Sequence, residues 1–272
     1  MNIVTFITTC KGRLAQLQRS LPQMLAQPDA EVVVVDYDCP EHCGDWVAST
    51  HPDAKVVRET RPVRFNASRA RNLGAAAATS EWLCFIDADI SPHRKFLASL
   101  LPSLKPGCYL HGTPLVTDKY GTFLCRRQDF DRIGGYDEVF DAWSQEDKDV
   151  YLRLEWAGLQ RRTFDNDLLQ AEQHSDTLRT QFFGTTDRWQ GMRLNAFYLH
   201  AKLDLMRLTG GPLEPAVRQA LYDEIRRAVE NSLTPHIDIE LPAPPRGSVA
   251  PGVTLARRLS FTLLPDSGAN GG

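Results

Sequence analysis

Trp82-Leu83-Cys84-Phe85-Ile86-Asp87-Ala88-Asp89-Ile90 is a short apolar run that ends in two carboxylates one residue apart. Five successive apolar residues suit a strand covered on both faces. Parallel α/β sheets hold their ligands outside the carboxyl ends of the strands, which is where Asp87 and Asp89 would stand. The upstream sequence supplies the rest of such a sheet. Ile3 to Thr9 is a β-branched run, and Leu14, Leu17, Leu21 and Leu25 then recur as on one helix face. Val32 to Val35 suit a second buried strand, followed by a helical patch around Trp46, a short strand near Lys55 to Arg58, and an Ala-rich helix over Ala67 to Ala78. Alternating strand and helix predicts an α/β fold, with a mostly parallel sheet flanked by helices.

Beyond Pro106 the rhythm changes. Tyr109 to Val116 and Thr122 to Cys125 are expected as strands, Gly134 and Gly135 as a turn, and Gln145 to Trp156 as a helix. Arg161 to Phe164 and Leu168 to Ala171 are short extended pieces, Thr177 to Leu208 has a helical pattern, and Pro215 to Leu233 is an amphipathic helix. From Pro235 the chain is rich in Pro and Gly, a composition expected to be poorly ordered apart from the apolar segment Leu255 to Leu264.

The 272 residues are 42% hydrophobic and 24% charged, and 31 Lys+Arg against 34 Asp+Glu give a net charge of -3. A dedicated binder of nucleic acid or anionic lipid would show a basic excess instead. No uncharged, mostly apolar stretch, Leu73 to Ser80 included, comes near the roughly 20 residues that span a bilayer. No basic region precedes the first apolar run, so the N-terminus reads as a strand, not a signal peptide. The expected location is the cytoplasm, free or peripheral to the inner membrane. The six cysteines then read as reduced thiols. Cys39-Pro-Glu-His-Cys43 resembles half a zinc site, but no second pair has matching spacing.

Several polar groups would converge on the carboxyl edge. The first strand is followed by Thr8, Thr9, Cys10, Lys11, Gly12 and Arg13, the second by Asp36, and Phe65-Asn-Ala-Ser-Arg-Ala-Arg-Asn-Leu-Gly74 puts Arg69 and Arg71 near a helix start. Arginine forks match phosphate oxygens and carboxylates bind hard cations, so this inventory suits a phosphorylated sugar or nucleotide with a divalent ion. A GxGxxG after the first strand and a GxxxxGK[ST] are both missing, against a nicotinamide dehydrogenase and a P-loop NTPase. Each remaining motif has a plainer reading. A strand-end Asp often only caps a turn. In Trp143-Ser-Gln-Glu-Asp147, Ser144 would be a good N-cap, with Glu146 and Asp147 favoured in a first helical turn, where a carboxylate tends to stay ionised. His174, taken alone, is more often structural than a ligand.

Taken in order, these segments resemble the GT-A glycosyltransferases, in particular family 2 and the β-1,4-galactosyltransferase type. The resemblance runs over residues 3 to 175 and rests on four blocks: the Thr9-Cys-Lys-Gly-Arg13 loop, the FNASRARNLG block, the Asp87-Ala88-Asp89 motif, and Gly134 to Leu154 with its Trp143 and Glu146-Asp147 pair. It implies that Thr9, Lys11, Arg13, Asn66, Arg69 and Trp143 lie about the nucleotide sugar, and that Asp36 bonds the base. It further implies that Asp87 contacts ribose or metal, Asp89 ligates the metal, Asp147 is the catalytic base and Glu146 holds the acceptor. In the galactosyltransferase type a His roughly 25 to 30 residues after the acidic pair completes the metal site, and His174 falls in that window. That type carries two glycines where this chain has Ser144 and Gln145, which leaves galactose specificity open.

The fold so implied is a GT-A domain in two halves, 1–110 binding the nucleotide sugar and 111–234 binding the acceptor and carrying C-terminal helices, followed by the 235–272 tail. The function implied is metal-dependent, inverting transfer from a nucleoside-diphosphate sugar, UDP-sugars first, to a carbohydrate or other hydroxyl, with Mn2+ or Mg2+ as cofactor. A sugar-1-phosphate nucleotidyltransferase would carry a Gly-rich loop after its first strand, which Thr8 to Arg13 fits poorly. A non-catalytic binder of nucleotide sugars would have no use for Asp89, Asp147 and His174 together.

Overall fold

Val32, Val33, Val34 and Val35 are all at most 1% exposed, as a strand sandwiched between two helical layers requires. Burying each side chain is worth about 1.5–3 kcal/mol. They form the centre of β2 (Ala30–Tyr37), which lies beside β1 (Val4–Cys10) in parallel register from Val4 opposite Ala30 to Cys10 opposite Asp36. The computed structural model describes residues 2–60, 64–115, 117–172, 180–241 and 257–264. They divide into two units, Met1–Thr186 and Asp187–Gly272.

The first unit is built on a seven-stranded sheet. After β1 come α1 (Leu14–Leu25), β2, α2 (Cys43–Thr50), β3 (Lys55–Glu59), α3 (Ala67–Ala77), β4 (Trp82–Phe85), β5 (Ile90–Pro92) and α4 (Phe96–Leu100). Then follow β6 (Cys108–Thr113), β7 (Phe123–Arg126), α5 (Arg127–Arg132), α6 (Glu146–Trp156), β8 (Gln160–Asp165) and β9 (Leu169–Ala171). Spatial order is β3-β2-β1-β4-β7-β6-β8, parallel except that β7 runs against both its neighbours. The sheet therefore crosses the expected 110/111 division without a break. Alternate side chains fill two cores. Phe6, Val34, Trp82 and Cys84 pack with Leu17, Leu21 and Val47 on one face; Ile7, Leu83 and Phe85 pack with Ala75, Val150 and Leu154 on the other.

α3 lies close to the sheet because it carries Gly74, where a Cβ would come within 2.4 Å of Ile7 Cγ2. Its start is capped by Asn66, whose Oδ1 accepts the Arg69 N–H at 2.8 Å. Its end is closed by Arg127, which donates to the carbonyls of Ala75, Ala78 and Ser80. β5 and β9 were not expected as a pair. They form an antiparallel ribbon, Ile90 opposite Ala171, and the Glu172 N–H then bonds the Asp89 carbonyl at 3.0 Å.

In the second unit α7 (Arg188–Thr209) forms the later part of the helical pattern expected over 177–208, of which 177–179 lie outside the described residues and 181–187 are turn and loop; it is capped by Asp187, which accepts from the N–H groups of Trp189 and Gln190, and ends at Gly210 with φ +78. α8 (Pro215–Asn231) joins it through Tyr222 Oη donating to Asn195 at 2.8 Å and an edge-on Tyr198–Tyr222 contact at 5.0 Å. The described residues of the tail form a two-stranded ribbon. β10 (His236–Glu240) and β11 (Arg258–Thr262) pair antiparallel, with Ile237 opposite Phe261. Among the described residues no helix is long and apolar enough to cross a membrane.

Candidate active site

A cavity of about 320 Å³ opens at the carboxyl edge of β1 and β4. Four pieces of the first unit wall it: the loop after β1 with Thr9, Lys11 and Arg13; the Asp87-Ala88-Asp89 turn after β4; Tyr120 and Gly121 ahead of β7; and Trp143 to Lys148 at the start of α6. Phe65, Arg71, Leu115, Glu172, Phe182 and Phe183 also line it.

Arg71 organises the floor. It is 6% exposed, and its guanidinium reaches Asp87 and Glu146 at 3.0 Å each and Asp147 at 3.3 Å, while lying 5.1 Å from the centre of the Tyr136 ring. Burial alone would depress Arg71, but Asp147, Tyr136, Asp87 and Glu146 outweigh it and hold its pKa well above the ordinary value. One cation thus faces three carboxylates. Burial, then repulsion from Asp147, pushes Glu146 up to about 7. Burial also raises Asp147, opposed by Arg71 and by the Tyr136 hydroxyl, which donates to Asp147 Oδ1 at 2.9 Å. Desolvation thus works against the ionisation that a first-turn position favours, while Arg71 and Tyr136 work for it. Ser144 does not cap α6. Gln145 is the residue that precedes it and makes no side-chain cap bond, and Ser144 and Gln145 both take positive φ, 89° and 76°.

Gly121 leaves room above the cluster. A Cβ there would lie 3.1 Å from Asp147 Oδ2, 3.3 Å from Asp87 Oδ2 and 3.4 Å from an Arg71 nitrogen. Tyr120 is held in place by its carbonyl, which accepts from the Tyr151 hydroxyl at 2.6 Å and meets His111 Nε2 at 3.0 Å. Asp89 is paired with Arg13 at 2.8 Å. Lys11 donates to the carbonyls of Tyr37 and Asp38 at 3.1 Å and lies 5.8 Å from the Phe182 ring, which packs over Gly12. Phe65 stacks edge-on against Tyr37 and Phe183.

Thr9, Lys11, Arg13, Asp87, Asp89, Trp143, Glu146 and Asp147 thus share one cavity, as expected. Asp36, Asn66 and Arg69 do not line it. Asp36 accepts the N–H groups of Cys39 and Gly44 and pairs with Arg58, Asn66 caps α3, and Arg69 is turned to Glu59 and Glu138. His174 lies outside the described residues. Arg71 was legible from helical phase, because it shares a face with Ala67, Gly74 and Ala75, whereas Arg69 is rotated roughly 200° away. Tyr136 stood inside the Gly134 to Leu154 block without a role assigned to it, and Glu172, Phe182 and Phe183 carried no motif.

Asp87, Asp89 and Glu172 line one cavity, and carboxylates are the donors that hard divalent ions take; in this structure each is turned to an arginine, Arg71, Arg13 and Arg19 respectively. Glu146 Oε2, buried and without a hydrogen-bond partner among the described residues, is a further acceptor at the same place.

A parallel sheet with one reversed strand, and an acidic turn at its carboxyl edge facing a second acidic pair, define a GT-A fold. The sequence profile of glycosyl transferase family 2 matches residues 5–200, and the chain belongs to that family. It is 28% identical over 214 residues to the pre-mycofactocin glycosyltransferase of Mycobacterium tuberculosis, covering 65% of this chain and 44% of that protein, so it spans less than half the length of this relative. The fold is similar to TarS 1-349 of S. aureus, solved in complex with UDP-GlcNAc (TM-score 0.59, 12% identity, 85% of this chain and 73% of that one). It is also similar to the mannosyltransferase PcManGT of Pyrobaculum calidifontis, solved in complex with GDP-Man and Mn2+ (TM-score 0.54, 17% identity, 83% and 69%).

Proposed function

We propose that this protein transfers a sugar from a nucleoside-diphosphate donor to an acceptor hydroxyl, with inversion at the anomeric carbon and with Mn2+ or Mg2+ as cofactor. The observation that carries this reading is the meeting of Asp87, Glu146 and Asp147 on the Arg71 guanidinium inside one cavity that also holds Asp89, Lys11 and Arg13. Family membership, and the nucleotide sugars bound by TarS and by the mannosyltransferase, support it.

The Asp87–Asp89 side of the cavity is the donor side. Asp87 and Asp89 would hold the divalent ion, with His174, two residues beyond the cavity-lining Glu172, as the further ligand that the sequence offers. When bound, such an ion supplies charge neutralisation for the departing diphosphate. Arg13 and Lys11 add cationic donors to the same edge. On the α6 side Asp147 takes the proton of the acceptor hydroxyl. The acceptor oxygen bonds the anomeric carbon while the bond to the diphosphate oxygen breaks, and the nucleoside diphosphate leaves with that electron pair. A single base opposite the leaving group gives inversion. Arg71 and Tyr136 favour the ionised form of Asp147 and fix its direction; Glu146 beside it bonds the acceptor. The uridine diphosphate series is the first donor class, with guanosine diphosphate sugars the comparison.

The test is release of free nucleoside diphosphate from a panel of nucleotide sugars, with and without Mn2+. Asp147→Asn should keep donor binding and lower transfer by about 10²–10⁴. Transfer at the wild-type rate would remove Asp147 from the chemistry. Equal donor affinity with Mn2+ and with chelator would remove the metal from the reading.

A further inference from the structure

Three of the six cysteines converge behind the loop that carries Lys11 and Arg13. Cys10 ends β1, Cys39 follows β2, and Cys43 opens α2. All three are buried, at 0%, 6% and 0% exposure, and their sulfur atoms lie within 4.8 Å of one another, Cys10 to Cys39 at 4.0 Å. Among the described residues no other group of metal-ligating side chains comes this close together. The sequence showed half of this arrangement in the Cys39–Cys43 pair. The third thiol comes from another strand, because β1 and β2 are in parallel register with Cys10 opposite Asp36.

We propose that Cys10, Cys39 and Cys43 form a three-thiolate site for a soft divalent ion, Zn2+ in the first instance. With Zn–S bonds of about 2.3 Å, tetrahedral or trigonal coordination sets the sulfurs about 3.8–4.0 Å apart, so the observed spacing needs only a small contraction. Thiolates select Zn2+ over the hard ions that suit Asp87 and Asp89. The backbone around the sulfurs is already fixed in a way metal sites require. The Gly12 N–H donates to Cys39 Sγ at 3.2 Å. The Asp36 carboxylate takes the N–H groups of Cys39 at 2.9 Å and Gly44 at 3.2 Å, closing the loop from both ends, and His42 N–H bonds the Cys39 carbonyl at 3.0 Å. Gly44 has no room for a side chain, since a Cβ would meet Asp36 Oδ2 at 2.4 Å. Binding exchanges three S–H bonds for three S–Zn bonds and releases three protons to water. The ion ties the ends of β1 and β2 to the start of α2, and so stiffens the loop that places Lys11 and Arg13 in the cavity.

The experiment is anaerobic titration of the full, reduced chain with Co2+, followed by Zn2+. The expected result is a thiolate-to-cobalt charge-transfer band that saturates at one ion per chain and is bleached by Zn2+. Carboxylate ligation at Asp87 and Asp89 gives no such band, so the readout is independent of the proposed reaction. Cys39→Ser should abolish the band, and Cys108→Ser, in a thiol that bonds the Lys105 carbonyl elsewhere, should leave it unchanged. Absence of the band in folded wild-type protein would overturn the proposal. So would a band that survives in Cys39→Ser, or a loss of two hydrogens on mass spectrometry showing a Cys10–Cys39 disulfide in place of metal. Should Cys39→Ser not fold, the wild-type band and its stoichiometry decide alone, because Cys84, Cys108 and Cys125 form no ligand group among the described residues.

Discussion

A single guanidinium, that of Arg71, faces Asp87, Glu146 and Asp147, so an ionised cluster holds more negative than positive charge. Removing it by Arg71→Met should cost about 3–5 kcal/mol, the usual result of leaving buried charges unpaired. Calorimetric unfolding should show the loss to be largest in alkaline buffer and smaller in acid, where the carboxyls can take up protons. A loss that does not vary with pH would mean that Arg71 acts by packing alone. Glu146 gives a second pH signature. Its pKa rises on folding from 4.5 to about 7, so between those values the native chain keeps a proton that the unfolded chain has released. Its contribution to stability is fully present below about pH 4.5 and is lost as pH rises through about 7. Glu146→Gln cannot ionise, so its melting temperature should gain on wild type across that window; a constant offset at every pH would contradict this. At this scale the sequence was most informative where residue type and chain position agree, as at Asp87, Glu146 and Asp147. Arg69 and Asp36, given roles by the resemblance, have the right chemistry, but helical phase and a closed loop turn them to Glu59 and to the backbone of Cys39 and Gly44.

The turn into α6 is the element where local preference and structure disagree. Ser144 and Gln145 adopt positive φ, which costs a residue with a side chain roughly 1–2 kcal/mol and glycine nothing. Gln145→Gly should therefore be neutral or stabilising by up to about 1 kcal/mol, once the entropy of glycine is offset, whereas Gln145→Val should destabilise by at least about 1 kcal/mol. Thermal unfolding of both variants checks this, and equal effects would show that the turn relaxes freely. The long elements were legible for the opposite reason: in β1, β2, α1 and α3 the pattern of apolar residues repeats often enough to outweigh local ambiguity. β5 and β9 have three residues each, too few for a period, and exist through their pairing with one another. β10 does alternate, His-Ile-Asp-Ile-Glu, but the Pro and Gly around it masked the signal, and its partner β11 lies beyond a long intervening segment.

At the scale of the molecule, every residue that lines the cavity belongs to the unit ending at Thr186. Truncation after Leu241 should accordingly leave the affinity for UDP with Mn2+ within a few-fold, measured by titration calorimetry. It should also lower the melting temperature, because β10 loses the strand it pairs with. A large loss of affinity would show that the removed segment acts on the cavity. Within the first unit the backbone of the acidic turn is held from both sides. The Ala88 carbonyl accepts from the buried Ser20 hydroxyl at 2.7 Å, and the Asp89 carbonyl accepts the Glu172 N–H at 3.0 Å. Leu115, Trp143, Ser144 and Gln145 line the same cavity from segments that make neither of these bonds. Such a division separates what must be inherited intact from what can be rewritten. A descendant could exchange the side chains of Leu115 and Trp143 while the backbone of Asp87 to Asp89 kept its position, so the wall of the cavity can change shape without disturbing the acidic turn.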